Sequence, residues 1–298
     1  MSSYSCAMID TEYGEHVAQL RERVEARLDV LLPEVGNERD LVAAAMREGA
    51  LAPGKRLRPL LLMMAASGLG AKSGPALDLG CAVEMVHAAS LVLDDMPCMD
   101  NAQLRRGRAT VHRAFGEDVA ILAAIALLSR AFGLVASLSS IKPLVRTQLV
   151  EILANAIGAQ GLACGQLQDL RDGQGPRTAD QIATTNELKT GVLFSAIMDM
   201  AYLISDAPEP LRTLLQGFAL ELGQAFQLHD DLQDHNPESA KDQGKDDDKS
   251  TFVALYGQAQ ARERLKAHLA SAQGYLRQAY SAEDPIAHLL ESVFGKAS

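Results

Sequence analysis

The chain has 298 residues, 48% of them hydrophobic and 4% aromatic, with no Trp and a formal net charge of -10. That length suits one large domain or two ordinary ones, and the apolar share is ample for a sizeable core. The acidic balance excludes a general nucleic-acid binder, which needs a basic surface to displace counterions. Abundant Ala, Leu, Met and Gln favour helix over sheet.

Helical periodicity is expected over 12–32, 39–50, 56–68, 76–95, 117–138, 143–171, 178–204, 208–235 and 259–281. Pro33, "APGK", "SGP", "DGQGP", "DAPEP" and "HNPES" break the pattern between them. The stretches 76–93 and 119–128 are apolar nearly all round, which places them inside a large bundle. No linker is long or polar enough to divide the chain, so one all-α domain over 1–298 is expected. The segment before residue 39 and the tail after 282 carry no legible chemistry.

Cys6, Cys81, Cys98 and Cys164 lack metal-ligand spacing and read as small hydrophobes in a reducing compartment. The N-terminus shows no basic region followed by an apolar core. The run from Val119 is apolar for only about ten residues before Ser129 and Arg130, short of the roughly 20 a spanning helix needs. A cytoplasmic protein without a transmembrane segment is expected, with 119–138 a candidate subunit contact.

Two acidic motifs carry the chemistry. "LVLDDMPCMDNAQLRRGR" sets Asp94, Asp95 and Asp100 before Arg105, Arg106 and Arg108, and "GQAFQLHDDLQDHN" holds Asp230, Asp231 and Asp234. On a helix Asp230 and Asp234 share a face, with Asp231 about 100° round. Each cluster ends a long apolar helix, where the helix dipole is already negative, so bound cations explain the acids better than stability does. One such triplet is ordinarily a solvated helix end; two, converging from opposite walls of an apolar cavity, suit Mg²⁺ completed by substrate phosphates. Pro97 stops the helix and lets the chain bulge so that Asp100 swings back beside Asp94.

"GKRLRP", the first aspartate motif, "GQLQD", "LKTG", "FQLHDDLQD" and "KST" occur in this order over roughly 40–255. In these the chain resembles the trans-isoprenyl diphosphate synthases, most closely the bacterial geranylgeranyl diphosphate synthases of carotenoid pathways. The resemblance implies a multi-helix bundle of the isoprenoid synthase type around a deep central cavity. It also implies a homodimer, with isopentenyl diphosphate and allylic diphosphates as substrates. Three magnesium ions per site are implied, manganese being a possible substitute. Asp94, Asp100 and Asp230 would bind them, with Asp95, Asp231 and Asp234 in support.

By the same resemblance Lys55, Arg58, His87 and Arg106 hold isopentenyl diphosphate without metal. Taken alone, His87 reads as a core histidine and Arg108 as a solvated neighbour. Arg105, Lys189, Thr190, Gln227, Lys241 and Lys249 face the allylic diphosphate; Lys189, Thr190 and Gln227 are the implied catalytic residues, the oxygens of Thr190 and Gln227 facing the developing carbocation. Gln166 and Asp169 would orient waters and Lys189. The implied reaction is ionisation, condensation and elimination in a cavity that excludes water.

Product length is argued from bulk. An isoprene unit spans about one helical turn of 5.4 Å, and the residues five and four before Asp94 are the small Ala89 and Ser90. The tunnel stays open past that level, with Met85 and Val86 as its floor, which predicts a C20 product. A synthase of C15 or of C25 and above is the alternative among such enzymes. A terpene cyclase has no need for the Lys55, Arg58 and Arg106 cradle. The non-enzyme alternatives are a regulatory subunit of a heteromeric synthase, which usually loses aspartate motifs, and a helical scaffold with acidic ends.

Overall fold

The computed structural model describes residues 3–172, 177–234, 251–280 and 285–295. Helices α1 (Ser3–Leu31), α2 (Leu41–Ala50), α3 (Leu57–Gly68) and α4 (Ser73–Asp94) lead to an antiparallel hairpin, β1 (Leu104–Arg105) and β2 (Arg108–Ala109). Then come α5 (Val111–Phe115), α6 (Glu117–Ala136), α7 (Pro143–Ile157), α8 (Leu162–Asp172) and α9 (Ala179–Asn186). A π-turn (Glu187–Gly191), α10 (Val192–Leu203), α11 (Glu209–Asp234), α12 (Phe252–Ala279) and α13 (Pro285–Phe294) complete the described chain.

Helix α4 is the axis of the bundle. Every residue from Leu79 to Val86 is buried, as expected of a helix with no polar stripe, and α6, α3, α2 and α1 pack around it. Helix α10 lies against α3, α7 and α11, and α11 packs along α12, where His268 meets Glu221 at 2.7 Å. One cluster of buried apolar side chains runs from Leu20 to Phe294. Cys81 is a hydrophobe in this core, its thiol pushed up to about 12 by burial, and Cys81, Cys98 and Cys164 are free.

Several elements differ from the sequence expectation. The stretch 143–171 is two helices, because the turn around Gly158 and Gly161 separates α7 from α8. The stretch 178–204 starts on a capping box, Thr178 with Gln181, but opens into the π-turn before α10. Helix α12 starts at Phe252, capped by the Thr251 hydroxyl, and bends at Gly257, whose φ of 78° only glycine adopts readily. The tail after 282 holds α13, which docks on α1 and α3.

Helices α4 and α6 are each long and apolar enough to cross a membrane, contrary to the sequence reading of 119–138. In α4 67% of the apolar window is buried, as in an interior helix, against 44% in α6. Arg130 in α6 donates to the Leu31 carbonyl at 2.8 Å, and Ile121, Leu122 and Ile125 are exposed.

Candidate active site

The first aspartate cluster is built by the way α4 stops. Pro97 prevents continuation, and the Asp100 N–H turns back to the Asp94 carbonyl at 3.0 Å. The Ala102 N–H likewise reaches the Asp95 carbonyl at 3.1 Å, so the loop satisfies acceptors that the helix end leaves open. Asp95 is buried and gripped by a fork from Arg105, with Nε at 2.9 and 2.8 Å from the two carboxylate oxygens and Nη2 at 2.6 Å. Arg105 Nη2 is also 3.9 Å from Asp94. Burial pulls the Arg105 pKa down, but Asp95, Asp94 and Asp100 outweigh it and hold the guanidinium charged.

A run of side-chain contacts leads from here towards the second cluster. Gln166 on α8 donates to Asp94, and one turn on Asp169 pairs with Lys189 of the π-turn at 2.7 Å. The neighbouring Thr190 hydroxyl donates to Gln227 on α11 at 3.3 Å, and Gln227 donates to the buried Asp231 at 3.0 Å. Gln166 therefore orients Asp94 directly, while Asp169 orients Lys189. Four elements share one polar seam.

The basic cradle faces the same region. Arg58 Nη1 lies 3.3 Å from His87 Nε2 and stacks on Phe194 and Phe226, with ring centroids 5.1 and 5.6 Å from its carbon. Since guanidinium only donates, His87 Nε2 accepts, and the imidazole is neutral. Its pKa is depressed well below 6.5 by burial, with Arg58, Arg106, Arg105 and Arg56 adding repulsion. Burial also lowers Arg58 to about 10, with Arg106 adding to the fall and Glu84 and Asp230 opposing it. Arg58 Nε is buried without a partner, a donor set for an anion. Arg106 donates to the Pro53 carbonyl at 2.7 Å, and Lys55 Nζ to the Val293 carbonyl at 3.3 Å.

Arg56 parts company with its neighbours. It turns inward from a left-handed backbone (φ 51°) to Glu84 at 2.9 Å and the Ala50 carbonyl at 3.0 Å. It fastens α3 to α4 beside the cradle instead of entering it. Arg108 is not merely solvated; it pairs with Glu48 on α2 at 2.8 Å and so anchors the arginine hairpin. Behind that hairpin a cavity of about 40 Å³ lies against Ala88 and Val92, room for two or three waters.

Ala89, Met85 and Val86 are all buried in α4, and the Ser90 hydroxyl donates to the His87 carbonyl at 2.8 Å. Lys241, Lys249 and the side chain of Asp234 lie outside the described residues. Sequence reasoning missed the two phenylalanines on Arg58, the Arg56–Glu84 clamp and the C-terminal helix. Phe294 of that helix meets the rings of Phe226 and His229 edge-on. The apolar spacing of "PIAHLLESVF" was the available signal for that helix.

Among the described residues no three metal-type ligands stand around a common point. Asp94, Asp95, Asp100, Asp230 and Asp231 are hard oxygen donors shared between two helix ends. Such a set fits an ion that uses one or two carboxylates and completes its shell with phosphate and water, which is magnesium's habit.

Helices packed around a seam of paired carboxylates and cations define an all-α protein of the isoprenoid synthase type. An FPP/GFPP synthase from Zymomonas mobilis has the same fold, with a TM-score of 0.86 and 31% identity over 96% of this chain and 100% of that one. The chain belongs to the polyprenyl synthetase family, whose model matches residues 39–291. It is 52% identical to a geranylgeranyl diphosphate synthase of Pantoea ananas over 93% of this chain and 92% of that protein. A second geranylgeranyl diphosphate synthase, from Pseudescherichia vulneris, is 48% identical over 93% of this chain and 90% of its own.

Proposed function

We propose that the chain is a single-domain prenyltransferase that joins isopentenyl diphosphate head-to-tail to allylic diphosphates and stops at the C20 geranylgeranyl diphosphate. The observation that carries this reading is the polar seam from Asp95 to Asp231 beside the Arg58–His87 cradle. It occurs in a chain about half identical to two synthases of that product.

The family is in general magnesium-dependent. When bound, the ions (three per site on this reading, with manganese a substitute) neutralise the allylic diphosphate and make it a leaving group. Asp94, Asp100 and Asp230 would hold them, with Asp95, Asp231 and Asp234 in support. Arg105, Lys189, Lys241 and Lys249 grip the same diphosphate and stabilise charge as the C–O bond breaks. The Thr190 and Gln227 oxygens face the developing carbocation.

Lys55, Arg58, His87 and Arg106 orient isopentenyl diphosphate so that its double bond attacks the cation at near-attack distance. His87 does this as a neutral ring, leaving the charge to its arginine neighbours. Lys55 exchanges the Val293 carbonyl for a phosphate oxygen. The proton lost in elimination goes to the departed diphosphate; no side-chain base is required. The apolar wall of α4 excludes water from the cation.

The exposed Ile121, Leu122 and Ile125 on α6 support a homodimer contact, and a cytoplasmic location goes with the reading. The test is incubation with farnesyl diphosphate, isopentenyl diphosphate and Mg²⁺, with the product identified by mass spectrometry. A C20 diphosphate is expected; no condensation, or a product ending elsewhere, overturns it.

A further inference from the structure

The π-turn is the joint on which the seam depends. The Val192 N–H bonds to the Glu187 carbonyl five residues back, so the helix from Ala179 to Leu203 carries one extra residue at this point. An extra residue rotates everything after it by about 100° relative to an unbroken helix. That rotation lets Lys189 face Asp169 on α8 and Thr190 face Gln227 on α11, while Phe194 stacks on Arg58. A π-turn is less favourable than α-helix, so something outside it must hold it in place.

Two glycines, on different helices, touch it. At Gly165 on α8, a Cβ would collide with the Lys189 amide nitrogen and lie 2.6 Å from the Leu188 carbonyl carbon. At Gly223 on α11, a Cβ would lie 2.8 Å from Gly191 Cα. Both obstacles are backbone, which cannot swing aside as a side chain does. The contact at Gly165 lies one residue before Gln166, and that at Gly223 one turn before Gln227.

We propose that Gly165 and Gly223 are positioning residues that clamp the Glu187–Gly191 π-turn, fixing Lys189 and Thr190 against the allylic diphosphate. Neither touches substrate; each acts through the turn. The inference rests on the function proposed above. It assigns the clamp chiefly to the allylic half of the site, because Lys55, Arg58, His87 and Arg106 sit on α3, α4, their flanking loop and the hairpin, and the turn reaches Arg58 only indirectly, through the ring of Phe194.

The test compares Gly165→Ala and Gly223→Ala with two controls. Gly74→Ala on α4 and Gly274→Ala on α12 each meet nothing within 4 Å. Steady-state kinetics are run with farnesyl and isopentenyl diphosphates on variants whose circular dichroism and Tm show a folded chain. A displacement of the turn by about 1 Å costs on the order of 100-fold in kcat. KM for isopentenyl diphosphate is expected to stay within twofold of the parent, and both controls to keep parental kcat.

Folded clamp variants with parental kcat overturn the inference, as does a parallel rise in KM for isopentenyl diphosphate. A Gly74→Ala loss equal to that of Gly223→Ala does the same. If one clamp variant does not fold, the other decides. If neither folds, the glycines serve folding and not the site, and the inference is lost. An inactive parent protein would instead overturn the proposed function itself.

Discussion

Arg105 and Asp95 form an unequal pair, and the inequality has a measurable consequence. The Asp95 side chain is 4% exposed and that of Arg105 is 33% exposed. Replacing Arg105 by Ala strands a buried carboxylate, whereas replacing Asp95 by Ala leaves an arginine able to reach water and still 3.9 Å from Asp94. Breaking a buried pair from the side that strands the buried charge costs about 3–5 kcal/mol.

Arg105→Ala should therefore destabilise the metal-free protein by about 3–4 kcal/mol. Asp95→Ala should cost about 1–2 kcal/mol, because the arginine it leaves behind is not trapped. Adding Asp95→Ala to Arg105→Ala should restore most of the stability that Arg105→Ala loses. Urea unfolding in EDTA reads all three. Equal costs for the two single changes, or no recovery in the double variant, would refute the reasoning.

His87 binds its proton less readily folded than unfolded, so stability should fall as pH drops below about 6.5, by up to roughly 1.4 kcal/mol per pH unit. His87→Gln should remove that increment of slope and change nothing between pH 7 and 8; identical acid limbs in urea unfolding contradict it. Ala89→Tyr, which puts a ring at a buried level of the α4 wall, should shorten the main product from C20 to C15 at a stability cost of about 1–3 kcal/mol. Mass spectrometry of the extracted products decides. Leu122→Lys with Ile125→Lys should convert a dimer to a monomer in analytical ultracentrifugation; an unchanged sedimentation coefficient moves the contact elsewhere.

Most of the helices were legible because their apolar periodicity survives burial, and α4 was recognised as interior because it has no polar stripe. The aspartate motifs were legible because acids at two helix ends oppose the dipole and demand a reason. What stayed hidden were features fixed by contacts distant in sequence. Nothing in "ELKTG" announces a π-turn, since Glu, Leu and Lys are ordinary helix formers, Thr and Gly weaken a helix without specifying a π-turn, and the cause lies at Gly165 and Gly223. Arg56 reads like Lys55 and Arg58 until the left-handed backbone turns it towards Glu84. Phe194 and Phe226 look like core residues and become visible as walls for Arg58 only when α3, α10 and α11 meet. The tail's helix was overlooked for want of polar motifs, although its apolar face docks beside Lys55.

The most direct measurement is calorimetric titration of magnesium and inorganic pyrophosphate into the parent protein, Asp94→Ala, Asp230→Ala and the double variant. Joint coordination by the two clusters predicts that each single change weakens magnesium-dependent pyrophosphate binding at least tenfold. The double variant should then bind scarcely more weakly than either single one. Fully additive losses, or undiminished binding in either single variant, would mean that the two clusters do not share a ligand.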